Sequence, residues 1–282
     1  MGKTLFAVPA LLLALGAIAR ADDEWTKNYA VKGAPQVVLR SNDAHIQVSA
    51  AAQSGVSARL VVKGFNRGDY EVRESQSGDR VEIEVRLLPR QGGFEWGNRS
   101  LGLEVTMPSQ GNLEARTEDG HVKVAGLSGQ IRVHTGDGHI EAHDLAGALD
   151  LETNDGHIDM DRISGSLRAH TGDGHMSIRG RFDDLDVETG DGHVTLRIED
   201  GSTVRQNWSV RSGDGGIQLE LPRSFAADLD ASTGDGTVRV DLAGASAMQM
   251  DKDRHHVTAK LGAGGRALTV RTGDGSITLR QR

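Results

Sequence analysis

Leu149-Asp-Leu-Glu-Thr-Asn-Asp-Gly-His-Ile-Asp-Met-Asp161 is the stretch that decides the fold. Leu149, Leu151 and Thr153 alternate with Asp150 and Glu152, and beyond His157 the residues Ile158 and Met160 alternate with Asp159 and Asp161. Alternation with a period of two marks strands with one buried side. Asp155-Gly156 between them predicts a turn, with the aspartate bonding the backbone ahead and the glycine taking a positive φ. A second turn is expected near Ala146-Gly147 and near Ser164-Gly165.

The same phrase recurs along the chain. Its aspartates are Asp119, Asp137, Asp155, Asp173 and Asp191, each 18 residues from the next. Looser copies follow at Asp214, Asp235 and Asp274, after gaps of 23, 21 and 39 residues, and Ser41-Asn-Asp-Ala-His-Ile-Gln-Val48 is an early outlier. Repeats of this length read as stacked supersecondary units. An antiparallel meander of hairpins would also fit the pattern of turns, but the charges favour a stack. Five residues before each aspartate stand Glu114, Arg132, Asp150, Arg168 and Asp186; three before stand Arg116, His134, Glu152, His170 and Glu188. The first series alternates in sign, which is favourable if equivalent positions are neighbours about 4.8 Å apart. The 39-residue gap predicts one extra coil lacking the phrase, plus a polar loop at Met250–His256. The patterns of hexapeptide helices and of calcium-binding nonapeptide repeats are absent.

Residues 111–282 therefore predict a β-solenoid of Asp-Gly repeats with coils of about 18 residues. Residues 22–110 predict an irregular β region and cap, with strands at Val56–Lys63, Tyr70–Glu74, Val81–Leu87 and Leu101–Met107; a separate small sandwich is the alternative. Residues 1–21 read as a secretory signal peptide: Lys3, an apolar run from Leu5 to Ile18, then Ala19-Arg20-Ala21. Cleavage after Ala21 removes Lys3 and Arg20 and no acid, taking the net charge from −8 to −10. An exported acidic chain is a poor partner for nucleic acid or anionic lipid. No later segment is apolar enough to insert in a membrane. The chain has no cysteine, so no disulfide holds it. Only 4% of residues are aromatic, so the core must be built from Val, Ile, Leu, Ala and Thr in thin, regular layers.

The Val105-Thr-Met-Pro108 lead-in, the Thr-x-Asp-Gly-x-Ile/Val phrases and the segment Leu268-Thr-Val-Arg-Thr-Gly-Asp-Gly-Ser-Ile-Thr-Leu279 resemble the "putative adhesin" family of exported bacterial proteins, a domain of unknown function. The resemblance implies an all-β, right-handed parallel β-solenoid or β-helix at the cell envelope and supplies no catalytic residues. The periplasm, the cell surface and the extracellular space are all compatible with it.

The candidate site residues lie in the turns: Asp119, His121, Asp137, His139, Asp155, His157, Asp173, His175, Asp191 and His193. Stacking makes them two columns, either a ladder fixed by turn hydrogen bonds or a series of divalent-metal sites. The sequence favours the ladder and predicts no metal or other cofactor. A polysaccharide-active β-helix enzyme is a further alternative, but such enzymes break their repeat at the site, and no catalytic motif is present. Asp251–His256 is the one polar cluster off the pattern, and Phe94 and Trp96 could stack on a sugar or cover the core. The expected role is non-catalytic: adhesin-like binding or scaffolding, with an envelope polysaccharide or a protein as partner, or self-association.

Overall fold

A computed structural model describes residues 25–89 and 99–282. The expected signal peptide, Phe94 and Trp96 lie outside these residues. Apart from a single 3₁₀ turn at Arg67–Asp69, the described residues form strands and connections. The first group is β1 (Trp25–Ala30), β2 (Gln36–Ser41), β3 (His45–Ala50), β4 (Gly55–Lys63), β5 (Tyr70–Ser77), β6 (Arg80–Leu87) and β7 (Ser100–Met107). The repeats supply β8 (Asn112–Thr117), β9 (Val122–Ala125), β10 (Ser128–Thr135), β11 (Ile140–His143), β12 (Ala146–Thr153), β13 (Ile158–Thr171), β14 (Met176–Thr189) and β15 (Val194–Ile198). Then come β16 (Trp208–Ser212), β17 (Ile217–Leu221), β18 (Ala227–Thr233), β19 (Val238–Asp241), β20 (Ala245–Met250), β21 (His256–Leu261), β22 (Ala267–Thr272) and β23 (Ile277–Gln281).

The stack predicted from the charges is what forms. Leu113, Ile131, Leu149, Leu167 and Leu185 are successive partners in parallel strands, offset by 18 residues at each step. Each coil contributes one long strand and one short strand, joined by the Asp-Gly corner. Side chains at alternate positions of both strands meet inside, so Ile131, Val133, Ile140 and Ala142 are almost fully buried. Through the coils from Leu113 to Leu167 two facing layers of mostly aliphatic residues fill the narrow gap between the sheets; further along, Phe182, Trp208 and Phe225 are fully buried, contrary to the expectation of a core without large rings.

The corner differs from expectation in two ways. The glycine after each aspartate does not adopt a left-handed φ. It is required by close approach: a Cβ at Gly156 would lie 2.0 Å from the Gly138 carbonyl oxygen of the coil beneath. The turn bond comes from threonine, not aspartate. The Thr153 hydroxyl accepts the Gly156 N–H at 3.2 Å, and its proton faces the Gly136 and Gly138 carbonyls at 2.9 and 3.1 Å. Thr117, Thr135, Thr171 and Thr189 repeat this arrangement and are likewise buried. At the opposite corner the turn includes the expected Gly147 and Gly165, both at positive φ, and begins about two residues before the expected dipeptides with left-handed backbone at Asp144 and Arg162.

The stacking order departs from the chain order at the C-terminal end. β22 and β23 pair in parallel with β16 and β17 on one side and with β18 and β19 on the other. The coil carrying Asp274 therefore sits between those of Asp214 and Asp235. The 39-residue gap holds no extra coil. It holds β21, antiparallel to β18, and β20, antiparallel to β21. The loop after β20 closes the last corner, where Val238 N–H donates to the Arg254 carbonyl and Thr233 N–H to that of His255. Antiparallel strands finish a sheet whose parallel continuation would leave an open edge.

At the other end, β2 and β3 form a coil beneath β8 and β9, with Asp43 in its turn, and β6 and β7 lie beneath that. There β5 runs antiparallel on β6, β4 antiparallel on β7, and β1 antiparallel on β4. The four longer strands expected in this region coincide with β4 to β7.

The corner chemistry predicts a graded mutational series. Gly156→Ala should lower unfolding stability by about 3 kcal/mol through backbone collision, and Thr153→Val by about 2 kcal/mol through two orphaned backbone groups. Gly68→Ala, where a Cβ meets nothing within 4 Å, should change it by less than about 0.5 kcal/mol. Urea denaturation followed by circular dichroism ranks the three, and equal effects at Gly156 and Gly68 would refute the close-approach explanation.

Candidate functional site

Two outward features of the stack carry chemistry: the histidine–aspartate corner and the face of the long strands. At the corner, His45, His121, His139, His157, His175 and His193 form one column. Successive ring centroids lie 4.9–5.1 Å apart, with planes within 14° of parallel. Each backbone N–H donates to the Nδ1 of the histidine below, as His139 does to His121, His157 to His139 and His175 to His157, all at 3.0 Å. Gly216 ends the series by donating to His193 Nδ1 at 2.8 Å. An Nδ1 that accepts a bond carries no proton, which assigns the hydrogen of the neutral ring to Nε2. Burial, and next the charged forms of His121 and His157, hold the His139 pKa below its ordinary 6.5, against the opposing pull of Asp159 and Glu141.

The turn aspartates run alongside. Asp119, Asp137, Asp155, Asp173 and Asp191 are exposed and in register, continued by Asp43 at one end and by Asp214, Asp274 and Asp235 at the other. At Asp43, desolvation and then the neighbouring Asp119 and Glu118 push the carboxyl pKa up. The structure thus brings all ten candidate residues to one edge, but in parallel columns. With every stacked Nδ1 occupied, a metal would have only Nε2 atoms. Bonds of about 2.0–2.1 Å to two of them span less than the 4.9–5.1 Å between rings. Among the described residues no three His, Asp or Glu converge as a ligand set. Asp251–His256 serves the terminal corner: Asp251 Oδ1 accepts the His255 N–H at 2.8 Å, and His256 Nε2 lies 3.1 Å from Asp230 Oδ1.

The long face carries the alternating charges. Arg132 lies between Glu114 and Asp150, Asp150 between Arg132 and Arg168, and Arg168 between Asp150 and Asp186. In the next row His134, Glu152, His170, Glu188 and Arg211 are successive neighbours. His134 Nδ1 is 3.4 Å from Glu152, and Arg168 Nε is 3.7 Å from Asp186. Shallow hollows of about 290 and 400 Å³ lie between these bars of charge.

Sequence reasoning placed threonine in the core but missed its hydrogen-bonding role at the corner. The signal was available: Thr153 falls on the parity of Leu149 and Leu151, so a polar group was being placed in the core, where it needs partners.

A family model described as "Toastrack DUF4097" matches residues 35–280. No curated protein matches the chain. Among solved structures, a "putative lipid binding protein" from Parabacteroides distasonis is similar at 12% identity, covering 91% of this chain and 96% of the other, with a TM-score of 0.49. A "putative adhesin" from Parabacteroides merdae is similar at 11% identity over 91% and 95%, with a TM-score of 0.48. Another "putative adhesin", from Bacteroides fragilis, is similar at 9% identity over 93% and 98%, with a TM-score of 0.44.

The fixed tautomer predicts loss of stability in mild acid. A histidine pKa lowered by folding contributes stability that is complete above the unfolded value near 6.5 and is lost as pH falls below it toward the folded value. Melting temperature should therefore drop between about pH 7 and pH 5. A chain with His121, His139 and His157 replaced by Gln should show a shallower drop in that window. The carboxylates Glu141 and Asp144, whose partners Lys123 and Arg162 hold them below their ordinary values, titrate in a more acidic range. An unchanged slope in the triple variant would show that the column does not control the response.

Proposed function

The chain belongs to the Toastrack DUF4097 family, and we propose that it is a non-catalytic, exported envelope module that holds a linear polysaccharide on the outer face of its solenoid. The supporting observation is the shared register of the long strands, which sets Glu114, Arg132, Asp150, Arg168 and Asp186 in one row and His134, Glu152, His170, Glu188 and Arg211 in the next. Such rows present many weak contacts at fixed spacing, which suits a repeating partner, because each added contact binds at high effective concentration. The apolar leader in the sequence supports export, and the acidic net charge argues against nucleic acid as the partner.

The same rows argue against hydrolysis. A glycosidase places two carboxylates in different surroundings on either side of one bond. Here Asp150 and Asp186, like Glu152 and Glu188, repeat one position two coils apart, with cationic or imidazole neighbours between them.

Calorimetric titration of residues 22–282 with a panel of soluble envelope polysaccharides should give binding that weakens as salt rises, with no shortening of the polymer on prolonged incubation. Chain cleavage, or retention of only proteins from envelope extracts, would contradict the proposal.

A further inference from the structure

Resting on that surface role, we infer that the polymer recognised by the long face is zwitterionic, with an anionic sugar alternating with a cationic amino sugar along the solenoid axis. Between the mixed coil of Glu114 with Arg116 and the coil of Ser209 with Arg211, the face is barred coil by coil. Arg132 and His134 share one coil, Asp150 and Glu152 the next, Arg168 and His170 the third, Asp186 and Glu188 the fourth, and Arg211 the fifth. The sign returns every second coil, a period of about 10 Å from the spacing of neighbouring strands. Two extended pyranose rings have about this length, so a disaccharide repeat with one charge of each sign stays in register over several coils.

A uniformly charged polymer does not match. A polyanion satisfied by Arg132 and Arg168 must also pass the paired carboxylates of Asp150 with Glu152 and of Asp186 with Glu188, and a polycation meets the converse repulsion. The bars remain available to an external partner. Arg132 and Asp150 make no ion pair among the described residues, and the contacts His134–Glu152 and Arg168–Asp186 join half-exposed side chains. Exposed pairs of this kind are held too weakly to resist exchange for ligand charges. The hollows between the bars give room for ring substituents.

The probe is a copolymer of glucuronate and N-deacetylated glucosamine, compared with its N-acetylated parent, with polyglucuronate and with chitosan. The zwitterion should bind at least tenfold more tightly than any of the other three. Arg132→Gln with Arg168→Gln should weaken it roughly tenfold, and Asp150→Asn with Asp186→Asn similarly. Lys123→Gln, on the short-strand face, should leave it unchanged, and circular dichroism should show every variant folded. Equal affinity for the uniform polymers, or indifference to the long-face variants, overturns the charge-register inference. If an uncharged or uniform polymer binds and the face variants abolish it, the surface role survives while this inference fails. If no polysaccharide binds at all, both fail.

Discussion

Each coil can settle on the one beneath only if nothing stands between their Asp-Gly corners. Parallel strands set the separation, and at the corner that separation leaves no volume for a methyl group above the carbonyl of Gly138. A glycine there is a demand of the stack, not of the individual turn. The threonine hydroxyl answers the companion demand. It joins a backbone N–H of its own coil to carbonyls of the coil below, so a corner that would otherwise bury unpaired groups is satisfied throughout. Register, column and row all follow from these two side-chain choices.

From this comes the contrast between inside and outside. Inside, the residues are apolar apart from the corner hydroxyls, mostly aliphatic in the 18-residue coils, with Phe182, Trp208 and Phe225 where the coils lengthen. Outside, the same register turns sequence periodicity into surface pattern: identical residues become columns, and alternating residues become bars. The histidine column is stabilised by its own backbone donors. The aspartates beside it are exposed like charges at close spacing, an arrangement that costs energy in water. The long face avoids that cost by alternating sign, and its carboxylates and guanidinium groups remain exposed.

Much of this was legible in the sequence, because a repeat with a constant step fixes neighbours without any knowledge of coordinates. The sign alternation of Glu114, Arg132, Asp150, Arg168 and Asp186 already distinguished stacking from hairpins. The role of Gly156 was misassigned because a lone turn and a stacked turn call for the same residue for different reasons, and only the coil beneath reveals which applies. Threonine was assigned to the core, but its role as a link between coils was not, because the carbonyls it bonds lie 15 and 17 residues away and only the Gly156 N–H is local. The order of the last coils was not legible at all. Asp235 and Asp274 carry the same phrase, so either could sit on Asp214, and the choice depends on the antiparallel β21 pairing with β18.

That exchange of order has a temporal meaning. During synthesis the polypeptide is delivered in sequence, so residues 227–261 arrive while the place beside β16 and β17 must stay vacant for residues that come later. Growth by simple accretion, coil upon coil, can account for the barrel of the stack but not for its closure. The segment from Ala267 to Gln281 enters as a keystone between courses already laid, and until it does, two strand edges on either side wait for the same partner.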